Sequence, residues 1–368
     1  MIPTATRVRT FDWLRGIAVL VMIQTHALAL LKPELRAGAF YSTVQWIDGL
    51  VAPSFIFAAG FALALTQVRA ALASDSPEAR KSRFLRTLRR IFEVLFVATF
   101  MNWMWFPIFR EPRWILRIDI LQCIGISLLI ALPLLFLLAP HPRALRGSSL
   151  LLAALVFAAA PLGEHIPLPL GHLLNTASGS VFPLLPWSGY VYLGAAIGAT
   201  AAVEGARGTA KWLAALVGVG LIIWYCTPWF TSIYPAHEFW VTNPANCARR
   251  WTQVCLFALL LLALEQLWPK ANSRAIRFIE IFGTSSLAGY FLHETLLYFH
   301  IFGYSFYVIW GEHQTWLRYS ALLVLLIACT FMLTWVVDQI YRRVDQRLAP
   351  RRRAAQAIGP IRRASQDR

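Results

Sequence analysis

Charged residues are scarce in this chain, and their scarcity excludes a soluble protein. Asp, Glu, Lys and Arg make up 14% of the 368 residues, whereas about 25% is usual in a soluble domain. Hydrophobic residues make up 58%, and apolar runs close to bilayer length recur from one end to the other. No polar stretch is long enough for a separate soluble domain. The composition therefore predicts an all-α, polytopic integral membrane helical bundle.

Acidic residues are few compared with basic ones. The 34 Lys and Arg residues outnumber the 18 Asp and Glu residues, which leaves a net charge of +16. The basic residues gather in short loops and at the carboxyl end, as membrane topology signals do. Residues 342–368 form a basic tail without interleaved aromatic residues, so nucleic acid is a poor partner for it. We expect this tail to be cytoplasmic and disordered, to contact anionic membrane lipids, and to follow a single transmembrane domain at residues 1–341.

About ten transmembrane helices are predicted from the apolar runs. They cover approximately residues 11–31, 48–67, 86–107, 115–139, 148–163, 184–203, 210–230, 251–269, 278–300 and 318–341. With the amino terminus inside, the inner segments hold 26 of the 34 Lys and Arg residues, and the outer segments hold eight. This excess satisfies the positive-inside rule. The even number of spans then places both termini in the cytoplasm, and the inner membrane of a bacterium is the expected location.

Two segments leave alternatives open. The stretch FHIFGYSFYVIW, at residues 299–310, fits either a re-entrant segment or an eleventh span. The five cysteines do not form a disulfide framework. Cys226 and Cys247 flank one predicted outer loop, where they either pair in an oxidising compartment or stay free.

The first span carries an arginine and a histidine on one face. Arg15 and His26 are eleven positions apart, and at about 100° per residue they return to nearly the same bearing, roughly 16 Å apart along the helix. Ionisable residues inside a membrane usually face a protein cavity and mark a functional site. The alternative is an arginine that reaches the headgroups and a histidine satisfied by a neighbouring helix. We expect His26 to be functional, because a histidine in mid-membrane cannot easily reach water.

The inner half of the predicted bundle holds one layer of polar residues, namely Asp12, Arg15, Arg89, Arg90 and Glu93. Asp12 and Arg15 are three positions apart and can form a salt bridge on a helix. Arg90 and Glu93 have the same spacing. Ordinary helix-end salt bridges are the favoured interpretation for Arg89 and Arg90. The functional alternative is an anion site for a phosphorylated cytoplasmic ligand, because arginine matches the geometry of phosphate.

The outer half holds a second layer, made up of His26, Asn102, Asp119, His293 and Glu294, with Gln122 one turn deeper than Asp119. Two histidines and two carboxylates at similar depth exceed what packing requires. A neutral imidazole there can accept a proton from a hydroxyl or an amine as a general base, and a carboxylate can orient it. The candidate catalytic residues are therefore His26, Asp119, His293 and Glu294.

Other kinds of catalysis lack their sequence motifs. No Ser or Cys lies in a recognisable nucleophile motif, which favours direct transfer over a covalent enzyme intermediate. His293 and His300 do not share a helix face, which argues against a metal site. The two polar layers together indicate a reaction across the membrane, with an anionic donor entering from the cytoplasm and an acceptor approaching from outside.

Five sequence elements resemble, in order, those of the transmembrane acyltransferase superfamily. This group includes heparan-alpha-glucosaminide N-acetyltransferase-like proteins and bacterial membrane O-acyltransferase-like enzymes of surface glycans. The most specific element is RTFDWLRGIAVLVMIQTHALAL, with Asp12, Arg15 and Gly16 followed by His26. The other elements are PSFIFAAGFALAL (53–65), DILQCIGIS (119–127), FPLLPWSGYVYLGAAIG (182–198) and GTSSLAGYFLHE (283–294).

The resemblance implies an acyltransferase whose donor is cytoplasmic acyl-CoA, most simply acetyl-CoA. It implies that Arg15 assists CoA binding and that His26 is the catalytic base. The acceptor is expected to be a hydroxyl or an amine of a sugar or glycan at the outer face. One departure concerns the lysosomal branch, whose active histidine follows the first helix. Residues 32–47 contain no histidine, so His26 is carried over from the bacterial pattern.

The polar layers and the resemblance together give a donor-binding set, which consists of Asp12, Arg15, Arg89, Arg90 and Gln122. Gln122 and Trp187 are also candidates for stabilising an oxyanion.

Two other classes of function remain open. A proton-coupled transporter would use the same intramembrane His, Asp and Glu residues as a relay. A non-catalytic partner of a glycan assembly machine would need none of them. The sequence does not identify the acceptor, the acyl chain length or the oligomeric state, a homodimer included. It also leaves open whether an acyl-histidine intermediate forms.

Overall fold

The fold is described from a computed structural model. It describes residues 8–73, 76–105, 114–115, 117–176, 179–268 and 273–364, with the backbone alone at 345 and 347–364. Within these ranges the chain is helical, with short connecting loops, and no β-strand occurs there. This architecture confirms the expected all-α membrane bundle.

The helices follow the apolar runs, and polar caps mark several of their ends. In chain order they are α1 (Thr10–Ala27), α2 (Ala39–Asp48), α3 (Val51–Ala73), α4 (Pro77–Trp105), α5 (Ile120–Leu138), α6 (Pro142–Gly163), α7 (Gly171–Leu174), α8 (Leu184–Tyr225), α9 (Thr227–Ser232), α10 (Phe239–Thr242), α11 (Pro244–Leu267), α12 (Arg274–Thr284), α13 (Ser286–Tyr298), α14 (Phe306–Trp310) and α15 (Trp316–Ala364). Asn243 and Ser273, for example, accept backbone N–H groups at the starts of α11 and α12, which satisfies donors that a helix leaves unpaired.

Seven helical segments among the described residues are long and apolar enough to cross a membrane. They are α1, the α2–α3 pair, α5, α6, α8, α11 and α15. Every one of the ten predicted spans overlaps a helix. The difference in number has three causes. The helix α8 joins two predicted spans across a kink at Gly205, and α12 and α13 divide the span predicted at 278–300. The arginine-rich α4 is not apolar enough to be counted among the seven. The number ten therefore stays a prediction, and residues 106–107 of the third span lie outside the described ranges.

Close backbone packing joins α3 to α8 in the centre of the bundle. A Cβ atom added to Gly60 would overlap the carbonyl oxygen of Val191, and one added to Gly194 would overlap that of Phe57. Small residues are what allow membrane helices to approach this closely, because lipid supplies no hydrophobic drive between them. The element at residues 53–65 and the one at 182–198 thus pack on each other.

Two carboxylates hold the first turn of α1. Glu265, on α11, accepts the backbone N–H groups of Arg9 and Thr10, each at 2.8 Å, and also the Thr10 hydroxyl. Glu280, on α12, accepts from Arg9 Nε at 2.6 Å and from the indole of Trp13 at 3.1 Å. A negative charge at a helix amino terminus is stabilising. These bonds fix how far α1, the helix that carries Arg15 and His26, can move along its own axis.

The other end of α1 is closed by the segment that follows α13. Glu312 N–H donates to the carbonyl of Ala29, and Gln314 N–H donates to that of Leu30. The guanidinium of Arg36 donates to the carbonyls of Ala29 and Leu31 at 2.9 and 2.8 Å. These donors satisfy carbonyl groups that a helix end leaves unpaired. Only the five-residue α14 lies within residues 299–310, which is too short for an eleventh span; the bonds to the end of α1 come from residues 312 and 314, just after this stretch.

Two further expectations can be compared with the structure. The last helix continues to Ala364, whereas the sequence predicts a disordered tail after residue 341. The division of the chain into a domain at residues 1–341 and a tail at residues 342–368 stays a prediction. Cys226 and Cys247 are both free, as are the other three cysteines. The pairing left open by the sequence is therefore absent from this structure.

Candidate active site

A cavity of about 330 Å³ lies beside the last turn of α1. Four helices and the loop before α5 enclose it. Its polar lining includes His26 from α1, Asn102 from α4, Asp119 and Gln122 at the start of α5, and Tyr290 and Glu294 from α13. Of the outer polar layer predicted from the sequence, every residue except the fully buried His293 therefore lines one space.

His26 lies against two consecutive residues of α13. Its Nδ1 atom is 2.6 Å from Glu294 Oε1 and 2.8 Å from His293 Nε2. The two imidazole rings stack with their centroids 5.1 Å apart and their planes 1° from parallel. Tyr298, one turn further along α13, donates its hydroxyl to the carbonyl of His26 at 3.0 Å. The histidine is thus held on both its ring and its backbone.

The hydrogen-bond partners determine which ring nitrogens carry protons. His293 Nδ1 faces the carbonyl of Gly289 at 3.0 Å and must donate to it, so His293 Nε2 is an acceptor. The proton between the rings then belongs to His26 Nδ1, which also faces the Glu294 carboxylate. In neutral His26 the other nitrogen, Nε2, is then unprotonated, and it makes no hydrogen bond within the described part of the chain. Since the His26 side chain is 33% exposed and lines the cavity, this arrangement presents a basic nitrogen to that space.

Asp119 and Gln122 form a capping box at the start of α5. Asp119 Oδ1 accepts the N–H of Ile120 at 2.8 Å, and Gln122 Oε1 accepts the N–H of Asp119 at 3.2 Å. Gln122 Nε2 donates to the carbonyl of Ala98 at 3.0 Å. Each side chain therefore has a local structural role, and Asp119 does not hydrogen-bond to His26; the carboxylate on the histidine is that of Glu294.

A second cavity, of about 250 Å³, begins at the Arg15 end of the bundle. It shares Leu121 and Tyr290 with the first cavity, so these two side chains stand between the spaces. Arg15 is paired through Nη2 with Asp12. Its Nε atom is buried and has no hydrogen-bond partner within the described chain, which leaves a guanidinium donor unsatisfied at the wall of this cavity.

A family model for heparan-alpha-glucosaminide N-acetyltransferase, catalytic, matches residues 7–239. The match covers more than half of the chain. The chain belongs to this family. Together with the seven apolar helices, membership makes it an integral membrane protein of the acetyltransferase type. A comparison with curated proteins finds no match.

The matched region of this N-acetyltransferase family includes the arginine and histidine of α1 and the capping box of α5. It ends before α13, which carries His293 and Glu294. The matched region therefore contains His26 but not the two residues that hold its ring.

Arg89, Arg90 and Trp187 are among the residues named from the sequence that line neither cavity. Arg89 and Arg90 are exposed on α4, and Arg89 pairs with Glu93 at 2.9 Å, where the sequence spacing paired Arg90 with it. Trp187 packs against the rings of Phe182 and Tyr190. Roles for Arg89 and Arg90 in donor binding and for Trp187 at an oxyanion stay predictions.

Sequence reasoning missed two features of the site: the tyrosines of α13, and the direct contact between three residues that it had placed only at similar depth. Tyr290 and Tyr298 flank Glu294 on α13 at four-residue spacing, a helical pattern that could have indicated them. The group formed by His26, His293 and Glu294, whose ligand atoms all lie within 4.8 Å of one another, has no such signal. It joins residues separated by more than 260 positions, so only the packing of α13 on α1 brings it together.

Proposed function

We propose that this chain is a membrane acyltransferase that moves an acyl group, most simply acetyl, from cytoplasmic acyl-CoA to a sugar or glycan at the outer face. The observation that carries the proposal is the orientation of His26. Its Nδ1 faces two acceptors, its Nε2 makes no hydrogen bond within the described chain, and the residue lines a cavity of about 330 Å³. Family membership supports the acetyltransferase chemistry.

The donor would bind with its anionic end near Arg15. The unsatisfied Nε of this arginine can bond a phosphate oxygen of CoA, and such charge-assisted bonds are strong. The pantetheine arm would then extend through the second cavity, between Leu121 and Tyr290, into the first. The roughly 16 Å along α1 between Arg15 and His26 is the distance that the arm must cover.

His26 would act as the general base. Its Nε2 takes the proton of the acceptor hydroxyl or amine while the acceptor oxygen or nitrogen attacks the thioester carbonyl. The tetrahedral intermediate collapses with cleavage of the carbon–sulfur bond. The imidazolium then returns its proton to the departing thiolate, so the acceptor becomes acylated, CoA leaves as the thiol, and His26 is again neutral.

Glu294 and His293 would position the base and do not contact the reacting atoms. Both accept from Nδ1 and therefore keep the basic electron pair on Nε2. The carboxylate in addition stabilises the imidazolium that forms during proton transfer, as a buried aspartate does in hydrolytic triads.

The first experiment is acetyl-CoA turnover by purified protein in nanodiscs with a mixture of glycan acceptors. His26→Ala should abolish turnover and leave CoA binding largely intact. His300→Ala, which removes an exposed histidine after α13, serves as the matched control. Turnover retained by His26→Ala would overturn the assignment of the base. The absence of both turnover and CoA binding in the wild type would overturn the acyltransferase itself.

A proton-coupled transporter is the second candidate. The shared wall of Leu121 and Tyr290 between the two cavities would serve a permeation path as well as a donor arm. Thioester cleavage distinguishes the two, because a transporter has no reason to break that bond.

A further inference from the structure

The atoms that hold the ring of His26 also form a set of metal ligands. The three atoms are His26 Nδ1, His293 Nε2 and Glu294 Oε1. The distance from His26 Nδ1 is 2.8 Å to His293 Nε2 and 2.6 Å to Glu294 Oε1, and the last two atoms are 3.5 Å apart. Two imidazole nitrogens and a carboxylate oxygen are a donor set typical of zinc and of other divalent first-row ions.

The spacing is close to that of a bound ion. Zinc binds nitrogen and oxygen ligands at about 2.0–2.2 Å, which separates neighbouring ligands by about 3.4 Å in tetrahedral geometry. The His293–Glu294 separation already has this value. The other two pairs need to open by less than 1 Å, which a small rotation of the partly exposed His26 ring supplies.

The surroundings of His293 fit the role of a ligand. Its ring is fully buried, and its Nδ1–H donates to the carbonyl of Gly289 at 3.0 Å. Histidines that bind metals usually donate their second N–H to a carbonyl or a carboxylate, which fixes the tautomer and aims the other nitrogen at the ion. Tyr290 packs edge-on against the same ring and restrains it further.

The cavity provides an approach to the three atoms. His26 and Glu294 both line it, so an ion entering there reaches two of the three ligand residues. The free space on this side leaves room for water as a fourth ligand, as in zinc sites with three protein ligands.

We propose that His26, His293 and Glu294 bind one divalent transition ion, with Zn²⁺ preferred, in place of the proton that they share. Coordination through His26 Nδ1 moves the ring proton to Nε2, and His26 then has no electron pair for a substrate proton. The bound ion therefore inhibits acyl transfer. The inhibition rests on the proposed function, whereas the binding does not.

Binding is tested first, without any substrate. Purified protein in nanodiscs is titrated with Zn²⁺ against a chromophoric chelator, and Co²⁺ replaces it for visible absorption, which reports the coordination geometry. We expect one ion per chain. Glu294→Gln keeps the side-chain shape but removes the anionic ligand, and it should weaken binding by more than the 10–100-fold typical of losing an outer-shell partner. His300→Ala should bind as the wild type does.

A thermal-shift measurement compares each variant with itself, with and without Zn²⁺, so that a difference in stability between variants does not affect the result. Zn²⁺ should raise the melting temperature of the wild type and of His300→Ala but not that of Glu294→Gln, in accordance with ligand linkage. Equal zinc binding by Glu294→Gln and the wild type, or no stoichiometric binding by the wild type, would overturn the site.

Inhibition is tested last. Acetyl-CoA turnover should fall as the site fills and recover when a chelator is added. Binding with undiminished turnover would overturn the inhibitory role, and binding by a protein that shows no turnover would leave the metal site standing while the proposed function fails.

Discussion

Replacing Glu294 with Gln separates the two effects that its carboxylate has on His26. Two acceptors face His26 Nδ1, namely Glu294 Oε1 at 2.6 Å and His293 Nε2 at 2.8 Å. Glutamine keeps an oxygen acceptor at the same place but carries no charge. The Nδ1–H tautomer should therefore persist in Glu294→Gln, while the charge that stabilises the imidazolium is lost.

The size of the effect follows from the change in the hydrogen bond. A bond to a charged partner contributes about 1.5–3 kcal/mol and a neutral one about 0.5–1.5 kcal/mol, so the loss is about 1.5 kcal/mol, or roughly tenfold in kcat. The Glu294 side chain is only 12% exposed, and a low local dielectric strengthens such bonds. We expect kcat to fall between about 10-fold and 100-fold, with the higher figure set by this burial.

A second variant tests whether the two acceptors substitute for each other. His293→Phe retains an aromatic ring between Tyr290 and His26, leaves Glu294 in place, and should cost less than about tenfold in kcat. The double variant, His293→Phe with Glu294→Gln, has only the neutral amide of the new glutamine beside His26 Nδ1. The NH₂ group of this amide can donate to Nδ1 and so stabilise the tautomer of His26 that is protonated on Nε2. Its kcat should fall by the full contribution of a general base, about 10²–10⁴-fold. A fall larger than the product of the two single effects would show that the two acceptors substitute for each other.

The assay is release of free CoA at saturating donor and acceptor. Acyl-CoA affinity and melting temperature are measured on each variant, and Glu93→Gln, which neutralises an exposed carboxylate on α4, is the matched control. A wild-type kcat in Glu294→Gln would refute the role of the carboxylate. A folded Glu294→Gln protein as inactive as His26→Ala would refute the shared support by His293.

Three further predictions concern other parts of the bundle. Arg15→Ala should raise the KM for acetyl-CoA about tenfold or more, because one charge-assisted bond is lost, with kcat largely kept. Arg86→Ala, at an exposed position on α4, is the control, and equal KM values in both variants would remove Arg15 from the donor site. Gly194→Val should lower the melting temperature and the yield of folded protein, because the new Cβ overlaps the backbone of α3. Gly218→Ala, whose new Cβ has no heavy atom within 4 Å, should leave both unchanged, and similar melting of the two variants would contradict the packing argument. Glu265→Ala should destabilise the protein by about 1–3 kcal/mol, because two backbone N–H groups of α1 lose their acceptor, and an unchanged denaturation midpoint would show that water replaces it.

Features that depend on neighbouring residues were accessible from the sequence. Helical periodicity alone aligns Arg15 with His26, because the geometry of a single helix fixes their bearing. The composition predicts the membrane bundle, because a bilayer requires long apolar helices. The capping box of Asp119 and Gln122 is also a local pattern, although depth alone had suggested catalysis for the first of them and donor binding for the second.

Features that depend on distant residues were decided by tertiary structure. Polar residues of similar depth were predicted, but depth does not say which carboxylate meets His26. The choice of Glu294 over Asp119 follows from the packing of α13 against α1, which brings together residues 267 and 268 positions apart. Likewise, the free nitrogen of His26 follows from the carbonyl of Gly289 behind His293. The chemistry of an imidazole is local to its residue, whereas its tautomer and its neighbours belong to the folded bundle.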